Sequence, residues 1–235
     1  MHVTQEPYRE LYDAIMDYEG ADLHGDLVRP WLRLQDGERQ WLADFGARRG
    51  DPIPEATIEE LWRLFALSML AEAVLLFGDI ADFMESLGLQ RIERDEFHPF
   101  FHEIVSVGEV KEYWPGYMLG NLMILRSGRG IEARPGITKS IAERSTLYWA
   151  TRRANRPTND MSDGWGSNSR WRTRFRRDYA IGGRLYYNVD AKKMREYDEL
   201  EPSEWLELLR YRSFVQCAKP DNDLWPYAFT HQEQL

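Results

Sequence analysis

Three residues in "FHPFFHE", His98, His102 and Glu103, have side chains suited to proton transfer or metal binding. Two histidines four apart on one helix face can share a metal ion, as in HExxH enzymes. Here the glutamate lies outside the pair and Pro99 follows the first histidine. The β-branched run Ile104, Val105 and Val107 points to a strand instead. In a straight strand the two rings would stand about 13 Å apart, too far to share an ion. No metal and no cofactor is therefore expected. What remains is general acid–base work by His102 with Glu103, or structural histidines whose hydrogen bonds are satisfied internally.

A second chemistry lies in "WGSNSRWRTRFRRDY", residues 165–179, where five arginines fall within eight positions. Odd positions carry Trp171, Phe175, Tyr179 and Ile181, and even positions carry Arg172, Arg174 and Arg176. This period of two marks a strand with one apolar face and one row of guanidinium groups roughly 6.6 Å apart. Arg177 breaks the pattern. A planar guanidinium offers two parallel donors to an oxyanion, and the preceding Ser167, Asn168 and Ser169 would add polar groups and backbone N–H donors. Ser167, Asn168, Arg170, Arg172, Arg174 and Arg176 are thus the candidate anion site, for a nucleotide or phosphate ligand. The alternative is a sheet face that is solvated or paired with the chain's own carboxylates. Neither a phosphate-loop motif nor GxGxxG is present.

The arginine strand needs a partner to fix it. Gly182-Gly183 turns the chain into "RLYYNVD". A two-residue loop would pair Tyr179 with Tyr186 and place Leu185 on the arginine face. A three-residue loop pairs Ile181 with Leu185 and Tyr179 with Tyr187, keeping the apolar set together, and is the expected register.

Upstream, helical patterns fill residues 1–95. "PYRELYDAIMDY" puts Tyr8, Leu11, Tyr12, Ile15 and Met16 on one stripe. "GERQWLADFGARRG" reads as a shorter helix closed by Gly50. Thr57 and Glu60 form a capping box before the long apolar helix, which Gly78 ends. Asp79 caps "IADFMESL", closed by Gly88. From residue 96 the pattern is mixed, with strand segments and a turn near Ser127–Gly130, and "EYWPGYMLG" serving as core and turn material. Helices are expected over "ITKSIAERSTLYWATRRAN", whose Glu143, Arg144, Ser145 and Tyr148 are pocket candidates, and from Pro202. A loop is expected over 156–169 and an irregular end after Cys217, docked through Trp225, Tyr227 and Phe229. The sum is a single α+β domain over 1–235, its helical half packed on a small, mostly antiparallel sheet.

The chain carries a net charge of −9, distributed unevenly. Residues 1–125 hold 10 basic against 24 acidic side chains, residues 126–184 hold 14 against 5, and the remainder 6 against 10. The acidic half argues against nucleic acid as partner, because phosphate contacts supply most non-specific affinity. The lone Cys217 excludes an internal disulfide and fits a reducing compartment. The most apolar run, 64–77, is shorter than a bilayer requires and contains Glu72. With no signal segment at the start, a cytoplasmic setting is expected, with no membrane contact.

"HPFFHEIV", "WPGYMLG", "ITKSIAERSTLYW", "WGSNSRWRTRFRRDY" and "YYNVD" together resemble a group of uncharacterised bacterial proteins over roughly residues 96–190. That group carries no established activity, so the resemblance assigns no residue a role. In character, a small acidic chain without a catalytic signature is also similar to immunity proteins of bacterial toxin systems. This likeness implies a non-enzymatic protein that neutralises a basic protein partner, a toxin, by direct binding. An enzyme or sensor acting on a phosphorylated or nucleotide ligand through the arginine-rich strand is the alternative.

Overall fold

The computed structural model describes residues 6–48, 57–77, 79–132, 176–190 and 231–235. It has an α+β fold. The helical part comprises α1 (Glu6–Met16), a π-helical turn (His24–Val28), α2 (Arg29–Leu32), α3 (Asp36–Gly46), α4 (Ile58–Phe77) and α5 (Ile80–Ser86). Its strands are β1 (Gln90–Arg91), β2 (His102–Val107), β3 (Lys111–Trp114), β4 (Tyr117–Leu119), β5 (Leu122–Leu125), β6 (Ser127–Ile131), β7 (Arg176–Ile181), β8 (Arg184–Asp190) and β9 (His231–Gln234). They form two sheets, one of six strands in the order β1-β4-β5-β7-β8-β9 and one of three in the order β2-β6-β3. All pairings are antiparallel except β2 with β6, which run parallel.

Local chemistry sets the helix ends. The Glu60 N–H donates to Thr57 Oγ1 at 3.2 Å and the Thr57 N–H donates to Glu60 Oε2 at 2.8 Å. This reciprocal pair satisfies two donors that the helix itself leaves without acceptors. The Asp79 carboxylate likewise accepts from the N–H groups of Ala81 and Asp82. Tyr8, Leu11, Tyr12 and Ile15 are buried as the α1 stripe requires, whereas Met16, at the helix end, is 47% exposed. Among the described residues between Leu64 and Val74, α4 is buried on all sides, and Leu64, Leu67, Met69, Leu70 and Val74 each contribute about 2 kcal/mol of apolar transfer. Glu38 on α3 is buried and accepts from Tyr8 Oη and from Arg63, which binds α1, α3 and α4 together. Burial, then the Glu38 carboxylate, holds the Tyr8 hydroxyl well above its ordinary pKa, so it remains a donor.

The six-stranded sheet is covered on both faces. Tyr117, Leu119, Leu122, Ile124 and Tyr179 join the helical core. Met123, Leu185 and Tyr187 point the other way and pack with Ile92 and Phe100. The register of the β7–β8 hairpin follows from this. Ile181 pairs with Arg184, Ala180 with Leu185 and Tyr179 with Tyr186. The loop is therefore Gly182-Gly183 alone, with φ of 58° and 76°, which matches a two-residue turn of the hand that fits strand twist. The expected three-residue loop is wrong because Leu185 is not displaced into solvent. It is fully buried against the second core.

Two other expectations are corrected. Ser127–Gly130 is not a turn but part of β6, and the chain instead reverses at Gly120-Asn121 between β4 and β5. The extreme C-terminus is not irregular, since His231–Gln234 adds to β8 as the last strand of the sheet. Gly50, Gly78, the helices expected from residue 137 and from Pro202, the 156–169 loop and Trp225, Tyr227 and Phe229 lie outside the described residues.

Gly120 sits where α3 meets the β4–β5 turn. Its φ is +57°, and a Cβ there would lie 2.1 Å from the Gly46 carbonyl oxygen. Gly182 has nearly the same φ but open space around it. Gly182→Ala is expected to cost about 1–2 kcal/mol, the left-handed penalty alone. Gly120→Ala should cost more than about 3 kcal/mol, because the backbone contact adds to that penalty. Equal losses in urea unfolding would contradict the close approach.

Candidate functional site

Between β5 and β6 the chain changes sheets across a single residue. Leu125 ends β5 in the six-stranded sheet, Ser127 begins β6 in the three-stranded one, and Arg126 lies between them. Its side chain is fully buried and forms an ion pair with Asp178 of β7, itself only 3% exposed. The Arg126 Nε–H donates to the Pro99 carbonyl at 3.0 Å, and the Trp114 indole N–H donates to the Arg126 carbonyl at 2.8 Å. One side chain thus joins the large sheet to the 98–102 turn, while its backbone anchors β3. A buried guanidinium is tolerable only where its charge is paired, and the Asp178 carboxylate supplies that here while the Pro99 carbonyl takes the Nε donor.

The turn brings the two histidines together differently from a straight strand. The N–H groups of Phe101 and His102 both donate to the His98 carbonyl, at 3.0 and 2.8 Å. The His98 N–H donates to His102 Nδ1 at 2.8 Å, and the Phe100 N–H donates to His98 Nδ1 at 3.1 Å. Each Nδ1 is therefore occupied as a backbone acceptor. His98 Nε2 faces the Glu233 carboxylate of β9 at 3.8 Å. His102 is 1% exposed, beside Phe97. Burial, then the Arg129 guanidinium, lowers its pKa to about 4, with the Arg94 carbonyl acting in the opposite sense.

Glu103 follows His102 in β2, and successive strand residues point to opposite faces, so the two do not form a dyad on one face. Ring burial keeps His102 from solvent, which does not suit a general base serving a substrate. Among the described residues, no group of three or more His, Cys, Asp or Glu side chains could hold a metal ion. No described helix is long and apolar enough to cross a membrane.

Of the anion candidates, Arg176 opens β7, while Ser167, Asn168, Arg170, Arg172 and Arg174 lie outside the described residues, as do the pocket candidates Glu143, Arg144, Ser145 and Tyr148. Where the even-numbered side of β7 is described, at Asp178 and Ala180, it faces the second core rather than solvent. Arg126 and Asp178 are the residues that sequence reasoning passed over. The signals were present: Arg126 is the one charge after the apolar run "LMIL", and Asp178 is the one acid on the arginine side of its strand.

The helical half presents the opposite electrostatics. Asp17, Glu19, Asp22, Asp26, Asp82 and Glu85 are exposed. His24 Nε2 lies 2.5 Å from Asp82, joining the π-helical turn to α5. Tyr18 donates to Asp26, which holds the phenol above its ordinary pKa. Arg39, Arg48 and Arg63 are turned onto Asp36, Glu60 and Glu38.

Comparison with known proteins places nothing beside this geometry: no protein-family model, no curated protein and no solved structure matches the chain.

Removing one partner of the buried pair leaves the other charge stranded. Asp178→Asn should destabilise the protein by about 3–5 kcal/mol in urea unfolding, compared with under about 1 kcal/mol for the exposed pair partner Asp36→Asn. Similar losses for the two would show that the Arg126 charge is not confined.

Proposed function

We propose that this chain is a cytoplasmic binding protein that neutralises a basic protein partner by direct contact, as bacterial immunity proteins neutralise toxins. One observation carries this: most acidic residues of the helical half are exposed, while its Arg39, Arg48 and Arg63 are paired with Asp36, Glu60 and Glu38. The exposed surface from Asp17 to Asp26, continued by Asp82 and Glu85, is thereby left strongly negative. Such a surface steers a basic partner in diffusion and raises its association rate, most strongly at low salt.

The test is co-expression with the product of the gene adjacent to this chain's own, which the proposal expects to be a basic toxin. Cells should survive, the two proteins should co-purify, and association should slow as salt rises. Asp17 and Glu19 are exposed in the turn after α1, so Asp17→Lys/Glu19→Lys should leave stability unchanged while slowing association at low salt by about 10-fold. Absence of both complex and protection would reject the proposal.

A further inference from the structure

We propose that His102 is an acid-operated latch: a proton taken up at Nδ1 releases the 98–102 turn and uncovers the small core beneath it. The geometry is one of mutually exclusive roles. Nδ1 accepts the His98 N–H at 2.8 Å, so it must carry a lone pair in the closed state. Because one ring nitrogen of a neutral imidazole bears the proton, that proton resides on Nε2. Protonation at Nδ1 sets N–H against N–H, and the hydrogen bond is lost.

The surroundings oppose a positive ring. Arg94 comes from the preceding loop, where its guanidinium lies 5.0 Å from the Phe101 ring centroid. Arg129 comes from β6, His98 from the turn itself. The acids nearby are engaged or turned away. Glu112 of β3 binds Arg91 and Arg129, at 2.9 and 3.0 Å. Glu233 of β9 faces His98, Glu103 lies on the other side of β2, and Glu93, Asp95 and Glu96 are exposed in the loop. Burial and these cations lower the ring's pKa to about 4, against 6.5 for an unrestrained histidine.

The turn is a lid by virtue of what it carries. Phe100 is fully buried and meets the Tyr187 ring edge-on at 5.5 Å. The Pro99 carbonyl receives Arg126 Nε, and the Phe101 carbonyl receives the Ser127 N–H at 3.0 Å. Opening the turn therefore exposes Phe100 and Tyr187 and removes one acceptor from Arg126. The core of α1, α3 and α4 contains no buried histidine among the described residues. Acid should accordingly act on the turn before it acts on the helices.

The sign follows from the ring's reluctance to bind a proton when closed. Closure is fully favourable above pH 6.5 and weakens as pH falls from there toward 4. The test is hydrogen exchange of the full chain, with protection factors corrected for intrinsic rates. Between pH 7 and pH 4 the His98 and His102 amides should lose protection on the order of 100-fold. Leu67 and Leu70 of α4 should keep theirs. In nitrogen NMR the His102 ring should remain protonated at Nε2 alone down to pH 5. His102→Asn supplies a carbonyl acceptor that does not titrate, so its His98 amide should stay protected in acid. Unchanged protection in the wild type would overturn the latch. So would titration of His102 near 6.5, loss of α4 protection in parallel, or an Asn variant as acid-sensitive as the parent. Should the variant not fold, the wild-type exchange and ring titration decide alone.

Discussion

One buried cation, Arg126, governs how the described strands are put together. Arg126 occupies the one residue between two sheets, where no strand partner uses its side chain, and it has no route to water. Its charge forces a carboxylate into the interior, and Asp178 arrives from 52 residues away. Its remaining donor capacity fixes the Pro99 carbonyl, hence the turn that follows. The alternation of β7 is then set: Tyr179 faces the helices, and Asp178 and Ala180 face the second core. Replacing such a pair by apolar side chains often costs little, but removing half of it costs much. The pair therefore specifies which strands meet more than it adds net stability.

Charge sorting extends beyond the joint. The helical half directs Arg63 and Arg48 onto Glu38 and Glu60 and leaves most of its other acids in solvent. Arg63 also stacks over Trp41 at 3.9 Å, so its burial is compensated by both a ring and a carboxylate. The same chain thus has a negative exterior on one side and cations enclosed at its structural joints. Among the described residues, Arg63, Arg126 and Arg129 partner half-buried or buried acids and carbonyls, while Arg9, Arg29, Arg33 and Arg184 are exposed.

Much of the helical half was legible in the sequence, because helix ends and amphipathic stripes are local. Thr57 with Glu60, Asp79 before Ile80, and the α1 stripe depend on residues within one or two turns. The β region was less legible where burial is two-sided. "LMIL" gives no alternation because Leu122 and Ile124 face one core while Met123 faces another. The hairpin register failed for the same reason: solvent was assumed on the arginine side, and Phe100 covers it. The histidine spacing was misjudged because Pro99 introduces a turn where an extended run was assumed. Arg126 and Asp178 could be seen as odd residues in their contexts, but no local pattern pairs positions so far apart.

A double-mutant cycle on Arg126 and Asp178 tests this account most directly. Urea unfolding of Arg126→Met, Asp178→Leu and the double variant gives their coupling. The account predicts a double variant less destabilised than Asp178→Leu alone, with a coupling of at least about 2 kcal/mol. Additive losses would mean that the two charges do not depend on one another, and that something else holds the sheets together.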